Sequence, residues 1–209
     1  MRTSLLVLSA LLISGAAFAG GKAKEVDPYP AIVLTGISEF DGVFGQAKGV
    51  QDKLKSEKAT LTKARAETAV ALGVATDAPF ATAFGELQTK AERKIKVLSE
   101  GGVPKLNPES AVPDNVQAGI DSVNALIVSA NGTVGVATGL KGDAVRLASE
   151  CGAFPGQVPG LVKNPMEILG RSKLVGDAVK ATAALPDRVQ ALVDEAGKIL
   201  SDVVAAFGA

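Results

Sequence analysis

The sequence predicts an all-α protein, an elongated helical bundle built on a long antiparallel helical hairpin plus about four shorter helices. Three observations carry this. A stripe formed by Ile37, Phe40, Phe44, Ala47, Leu54, Leu61, Thr68 and Leu72 recurs largely at steps of three, four and seven, which places it on one face of a helix. No Pro falls between Pro30 and Pro79, so nothing stops that helix early, and roughly 36 residues at about 1.5 Å each span about 54 Å. The apolar content is mainly Ala, Val, Leu and Gly, with seven Phe, one Tyr and no Trp. A core of small aliphatic side chains favours closely spaced helices. No strand pattern, low-complexity tract or fixed-period repeat stands out.

Residues 1–19 read as a signal peptide. Arg2 supplies the basic start, Leu5 to Ile13 the apolar core, and Ala17-Phe18-Ala19 the small-residue cleavage site. The core is shorter than the about 20 apolar residues that span a bilayer, and no Cys follows it to carry a lipid. Residues 20–30 form a flexible leader ending in an extended Asp27-Pro28-Tyr29-Pro30. Residues 31–209 form a single helical domain: hairpin 31–102, linker 103–113 and helices 114–207.

Within the hairpin, Gln51, Lys58 and Arg65 take heptad positions equivalent to Ile37 and Phe44, so the middle of the first helix is expected to be more exposed than its ends or to wrap only one partner. Thr76 or Asp77 caps the second helix and Pro79 sits in its first turn. Phe80, Phe84, Leu87, Ala91, Ile95 and Leu98 form its inward stripe, and Gly101-Gly102 ends it. The short join makes the first two helices antiparallel neighbours. Pro104, Pro108 and Pro113 mark the linker.

A third helix is expected from Pro113 to Ala130, a break at Asn131-Gly132, and a fourth from Thr133 to Cys151. That break leaves the weakly apolar Val123–Leu140 stretch without a membrane-spanning helix, and no transmembrane anchor is expected. Gly152–Pro165 reads as a loop. Asn164-Pro165 opens the fifth helix, and Pro186 ends it and starts the sixth.

Cleavage after Ala19 removes Arg2 alone among charged residues, leaving 21 basic against 22 acidic, a net charge of −1. Such a balance gives no field to recruit nucleic acid. There is no His, one Cys and no Gly-x-Ser-x-Gly, so no catalytic residue, cofactor site or metal site is proposed from the sequence. Asp187, Asp194, Glu195 and Asp202 read as a solvated face interspersed with Arg188 and Lys198. Cys151 reads as a small buried hydrophobe at a helix end, with an intermolecular disulfide or a reactive thiol as the alternative.

Two surface features remain. Gly42, Gly45 and Gly49, and Gly132, Gly135, Gly139 and Gly142, recur at three- and four-residue steps opposite the apolar stripes. They read either as seams for close approach of another helix, within or between molecules, or as loosely built helix faces with no partner. Lys90, Arg93, Lys94 and Lys96 cluster beside the second apolar stripe, a pattern that can meet an anionic membrane but more often faces water. No run of residues resembles a known family. The expectation is an exported protein, periplasmic or extracellular, that is not an enzyme. It would act as a binding or structural protein of a bacterial envelope through its helix faces, with an unknown protein partner or itself. A lipid-surface protein is the second choice.

Overall fold

The computed structural model describes residues 30–208 except Asp77; the expected signal peptide and the expected leader before Pro30 lie outside the described residues. Among them the order is α1 (Ser38–Leu72), α2 (Phe80–Lys90), β1 (Ile95–Glu100), β2 (Val103–Pro108), α3 (Asp114–Cys151), α4 (Phe154–Leu161), α5 (Pro165–Ala183) and α6 (Leu185–Phe207). The chain is mostly helical, as its composition and spacing imply.

Three long helices make the body: α1 lies along α3, and α3 along α6. Phe40, Phe44, Leu54 and Leu61 of α1 meet an apolar core that includes Ile120, Leu126, Ile127 and Leu147 of α3 and Val189, Ile199 and Val203 of α6. Cross-links between α1 and α3 fix their antiparallel sense. Thr68 Oγ1 donates to the Ser122 carbonyl at 3.1 Å, Thr133 Oγ1 to Glu57 at 3.4 Å, and Arg146 to Gln46 at 3.0 Å. The helix lying antiparallel along α1 is therefore α3, not the segment immediately after α1. α1 stops at a left-handed Gly73 (φ 73°), where Val74 N–H reaches the Ala69 carbonyl and Gly73 N–H that of Val70. This is a Schellman end, which needs a residue free of a Cβ.

The expected second helix is cut short. α2 has 11 residues and packs chiefly on α6, with the Phe84 and Phe207 ring centroids 5.7 Å apart. Glu92 and Arg93 then take positive φ values of 53° and 60°, and Ile95–Pro108 forms an antiparallel hairpin where helix and linker were expected. Its loop is Gly101-Gly102, with φ of 61° and 85°. A two-residue loop with both φ positive matches the right-handed twist of the flanking strands, and glycine adopts it without strain. Gly-Gly therefore turns a strand pair here and does not end a helix.

The expected break at Asn131-Gly132 is also absent; α3 runs unbroken for 38 residues. Ala130, Thr133 and Ala137 on either side of the pair are fully buried, so packing on both flanks outweighs local turn preference. This helix is long and apolar enough to cross a bilayer by length and composition, and 39% of its most apolar stretch is buried; the break on which the expectation of no spanning helix rested is not there.

The Gly152–Pro165 loop holds a short helix. Pro155 sits in the first turn of α4, where its missing N–H is harmless. Phe154 stacks on Phe40 at 4.2 Å and meets Phe44 edge-on at 5.6 Å. Asn164 caps α5 by accepting from Met166 N–H at 3.1 Å, and Pro186 lies in the first turn of α6.

Gln51, placed among the more exposed residues by its heptad position, is buried. It grips the incoming chain, with Oε1 accepting from Ile32 N–H at 3.1 Å and Nε2 donating to the Pro30 carbonyl at 3.0 Å. Arg65 lies over the Phe80 ring at 5.5 Å and pairs with Glu195 at 3.5 Å.

Candidate functional site

Helix phase decides where the glycines go. Residues 126, 130, 133, 137, 140 and 144 of α3 are buried against the other helices, so residues 128, 132, 135, 139 and 142 point outward. On α1 the same phase puts Gly42, Gly45 and Gly49 outside. A Cβ built on any of Gly42, Gly45, Gly49, Gly132, Gly135, Gly139 or Gly142 meets no atom within 4 Å. Among the described residues no helix packs on either stripe.

Both helices border one groove. Lys53, Ser56 and Glu57 of α1 face Gly135, Val136, Gly139 and Leu140 of α3 around a volume of about 490 Å³. Farther along α3, Asn124, Val128 and Asn131 meet Glu100, Val103, Pro104 and Lys105 of the β-hairpin around a second volume of about 330 Å³. Between Asp121 and Lys141, α3 carries no charged residue. Its outer face is thus an uncharged strip of Ala125, Val128 (68% exposed), Gly132, Gly135, Val136 and Gly139. Charges sit at its end, where Arg146 bonds Glu150 at 2.9 Å and Asp143 at 3.4 Å.

Among the described residues the helix-interior glycine that admits side chains of other elements is Gly119. Its Cβ would stand 2.9 Å from Leu87 Cδ1 and 3.4 Å from Leu72 Cδ2. Sequence reasoning passed over it, although it shares the inward phase of Val116, Ile120 and Val123.

The basic cluster does not lie on one helix face. Lys90 is in the last turn of α2, Arg93 and Lys94 follow in the turn, and Lys96 is in β1. All four are exposed, but Lys94 pairs with Glu92 and Lys96 with Glu109. The Lys94 hydrogen bond holds the Glu92 carboxyl below its usual range. Exposed apolar side chains gather instead on α5, at Met166 (89% exposed) and Leu169 (82%), a site the sequence reading missed.

Cys151 is buried and its thiol lies 3.4 Å from the Ala148 carbonyl. Burial pushes its pKa up, so the reactive thiolate is disfavoured. Of the acidic residues on α6, Glu195 pairs with Arg65, and Asp202 pairs with Lys198 at 3.2 Å. Among the described residues no three of His, Cys, Asp or Glu come together as a metal site. No family model matches the chain, and no curated protein or solved structure is significantly similar to it.

Proposed function

We propose that this is an exported, non-catalytic binding or structural protein of the bacterial cell envelope, an elongated helical body that works through its helix faces. The observation that supports this is the uncharged outer strip of α3, whose Gly135 and Gly139 border an open groove against Lys53, Ser56 and Glu57 of α1. Seven interior glycines weaken their helices by about 7 kcal/mol in all relative to Ala, at about 1 kcal/mol each. No contact within the described chain offsets that. Close approach of another backbone does, because a helix or extended segment can lie on a glycine strip at a distance that side chains would forbid.

A photo-crosslinking residue at Val136, expressed in the full chain in a bacterial envelope, tests this. The expected result is a discrete adduct that is lost when Gly135 and Gly139 both become Leu. The same probe at exposed Lys198 of α6 serves as the control. Equal labelling from both positions, or an adduct indifferent to the glycine changes, would remove the reading.

A second reading, contact with a lipid surface, is favoured by α5, where Met166 and Leu169 stand out on a segment that also exposes Lys163, Glu167 and Lys173. That arrangement presents apolar side chains and positive charge together. Co-sedimentation with anionic vesicles that is lost in Met166→Glu, Leu169→Glu would promote it; indifference to vesicles would remove it.

A further inference from the structure

The two edges of the β-hairpin are treated in opposite ways. Register pairs Val97 with Leu106 and Ser99 with Pro104. The backbone groups of Leu106 point away from β1, because the Asn124 side chain takes both: Leu106 N–H donates to Oδ1 at 2.7 Å, and Nδ2 donates to the Leu106 carbonyl at 3.0 Å. Alternation then puts Pro104 and Pro108 in the same outward phase, where neither has an N–H to offer. The β2 edge is closed at three successive outward positions.

On β1 the outward phase falls on Ile95, Val97 and Ser99. The Ile95 carbonyl accepts from Gln88 Nε2 at 3.1 Å. The outward N–H and C=O groups of Val97 and Ser99 have no partner among the described residues. Neither a Pro nor a bulge protects this edge, and such an edge is a template for another strand.

We propose that the β1 edge joins two copies of this chain, antiparallel about a twofold axis at Leu98, to form one four-stranded sheet. The register follows from the groups left over. Val97 of one copy opposite Ser99 of the other, and the reverse, satisfies the open N–H and C=O groups of both residues with four hydrogen bonds. It sets Leu98, 45% exposed, against Leu98 of the second copy. It also sets Lys96 opposite Glu100 of the second copy, and Glu100 opposite Lys96 of the second copy. Lys96 already pairs with Glu109, and Glu100 with Lys105. Each half of the joined sheet would therefore carry Lys105, Glu100, Lys96 and Glu109 in alternating sign. The segment Lys96-Val97-Leu98-Ser99-Glu100 is self-complementary in charge about its middle residue. That favours a second copy over an unrelated strand, and an isologous contact of this kind closes as a dimer.

Sedimentation velocity and hydrogen exchange on the full exported chain test this across about 10 µM to 1 mM, where small interfaces associate. The expected result is a monomer–dimer equilibrium with the Val97 and Ser99 amides protected only as the dimer forms. S99P removes one open donor without touching a ladder bond, as Pro104 does opposite, and should give a folded monomer. K96E sets like charges opposite each other on both sides of the axis and should weaken the dimer by about tenfold, and K96E/E100K should restore it. This pair decides the matter if S99P does not fold. A monomer throughout the range overturns the proposal. So does a dimer that K96E leaves unchanged. Concentration-independent protection of Val97 and Ser99 would show that another segment of the chain fills the edge, which also overturns it.

Discussion

Replacing Gly135 and Gly139 with Ala separates stability from binding at the proposed surface. Both positions are exposed on α3, and a Cβ at either meets no atom within 4 Å. No overpacking term applies, so helix propensity alone sets the sign. Each change should stabilise by about 1 kcal/mol, and the pair by about 2 kcal/mol. For a domain of this size that raises the unfolding midpoint by about 4–8 °C. The same two methyl groups fill part of the groove shared with Lys53 and Ser56, so an occupant lying on the glycine backbone should be pushed away. Thermal unfolding followed by circular dichroism measures the first effect, and crosslinking from Val136 the second. The expected result is a more stable protein that captures less. A lowered midpoint would refute the reasoning, because it would mean that some part of the chain does pack on these glycines. A raised midpoint with undiminished crosslinking would leave the fold intact and sink the binding surface.

Gly36→Ala should destabilise by about 1–2 kcal/mol in denaturant unfolding, since Gly36 has φ 73° and a left-handed conformation is strained for any residue with a Cβ; the added methyl also collides with the Arg171 guanidinium that bonds the Thr35 carbonyl. Gln51→Leu keeps the bulk but leaves the Ile32 N–H and the Pro30 carbonyl unpaired, a loss of about 1–3 kcal/mol, and limited proteolysis should then cut near residues 30–36 before the helices unfold. Burial raises the Cys151 pKa in the folded state, so its contribution to stability is fully present below the unfolded thiol value of about 8.5 and is lost as pH rises through the folded one. Unfolding midpoints of the wild type should therefore fall more steeply above that pH than those of Cys151→Ala.

The long helices were legible because their stripes extend over many turns. Phe40, Phe44, Leu54 and Leu61 leave no other period open. Ile95, Val97 and Leu98 are too few to distinguish a helix from a strand, since short apolar runs fit both. The deciding signal was nearby: a two-residue Gly-Gly between runs that contain Val97 and Val103 is a hairpin loop. Pro104 and Pro108 read as linker residues, yet their spacing of four puts both in the outward phase of an edge strand. Asn131-Gly132 misled in the opposite direction. Its turn preference is local, whereas the burial of Ala130, Thr133 and Ala137 is a property of the assembled helices. The glycine stripes lie on the exposed faces of α1 and α3, but phase alone does not say whether a neighbour stands there.

Two side-chain amides explain how a molecule with so few large side chains holds its irregular segments. Gln51 on α1 and Asn124 on α3 each offer a donor and an acceptor from one planar group, the same pair a neighbouring strand would offer. Gln51 takes up Pro30 and Ile32 of the entry segment, and Asn124 takes up both backbone groups of Leu106. In each case the extended chain also buries an apolar residue, Ile32 or Leu106, both 2% exposed. The amide satisfies backbone groups that burial would otherwise leave costly, and the apolar side chain supplies the driving force. The consequence for the surface is directional. By holding β2 against α3, Asn124 fixes which hairpin edge faces outward, so the closed edge borders the α3 strip and the open edge of Val97 and Ser99 remains available.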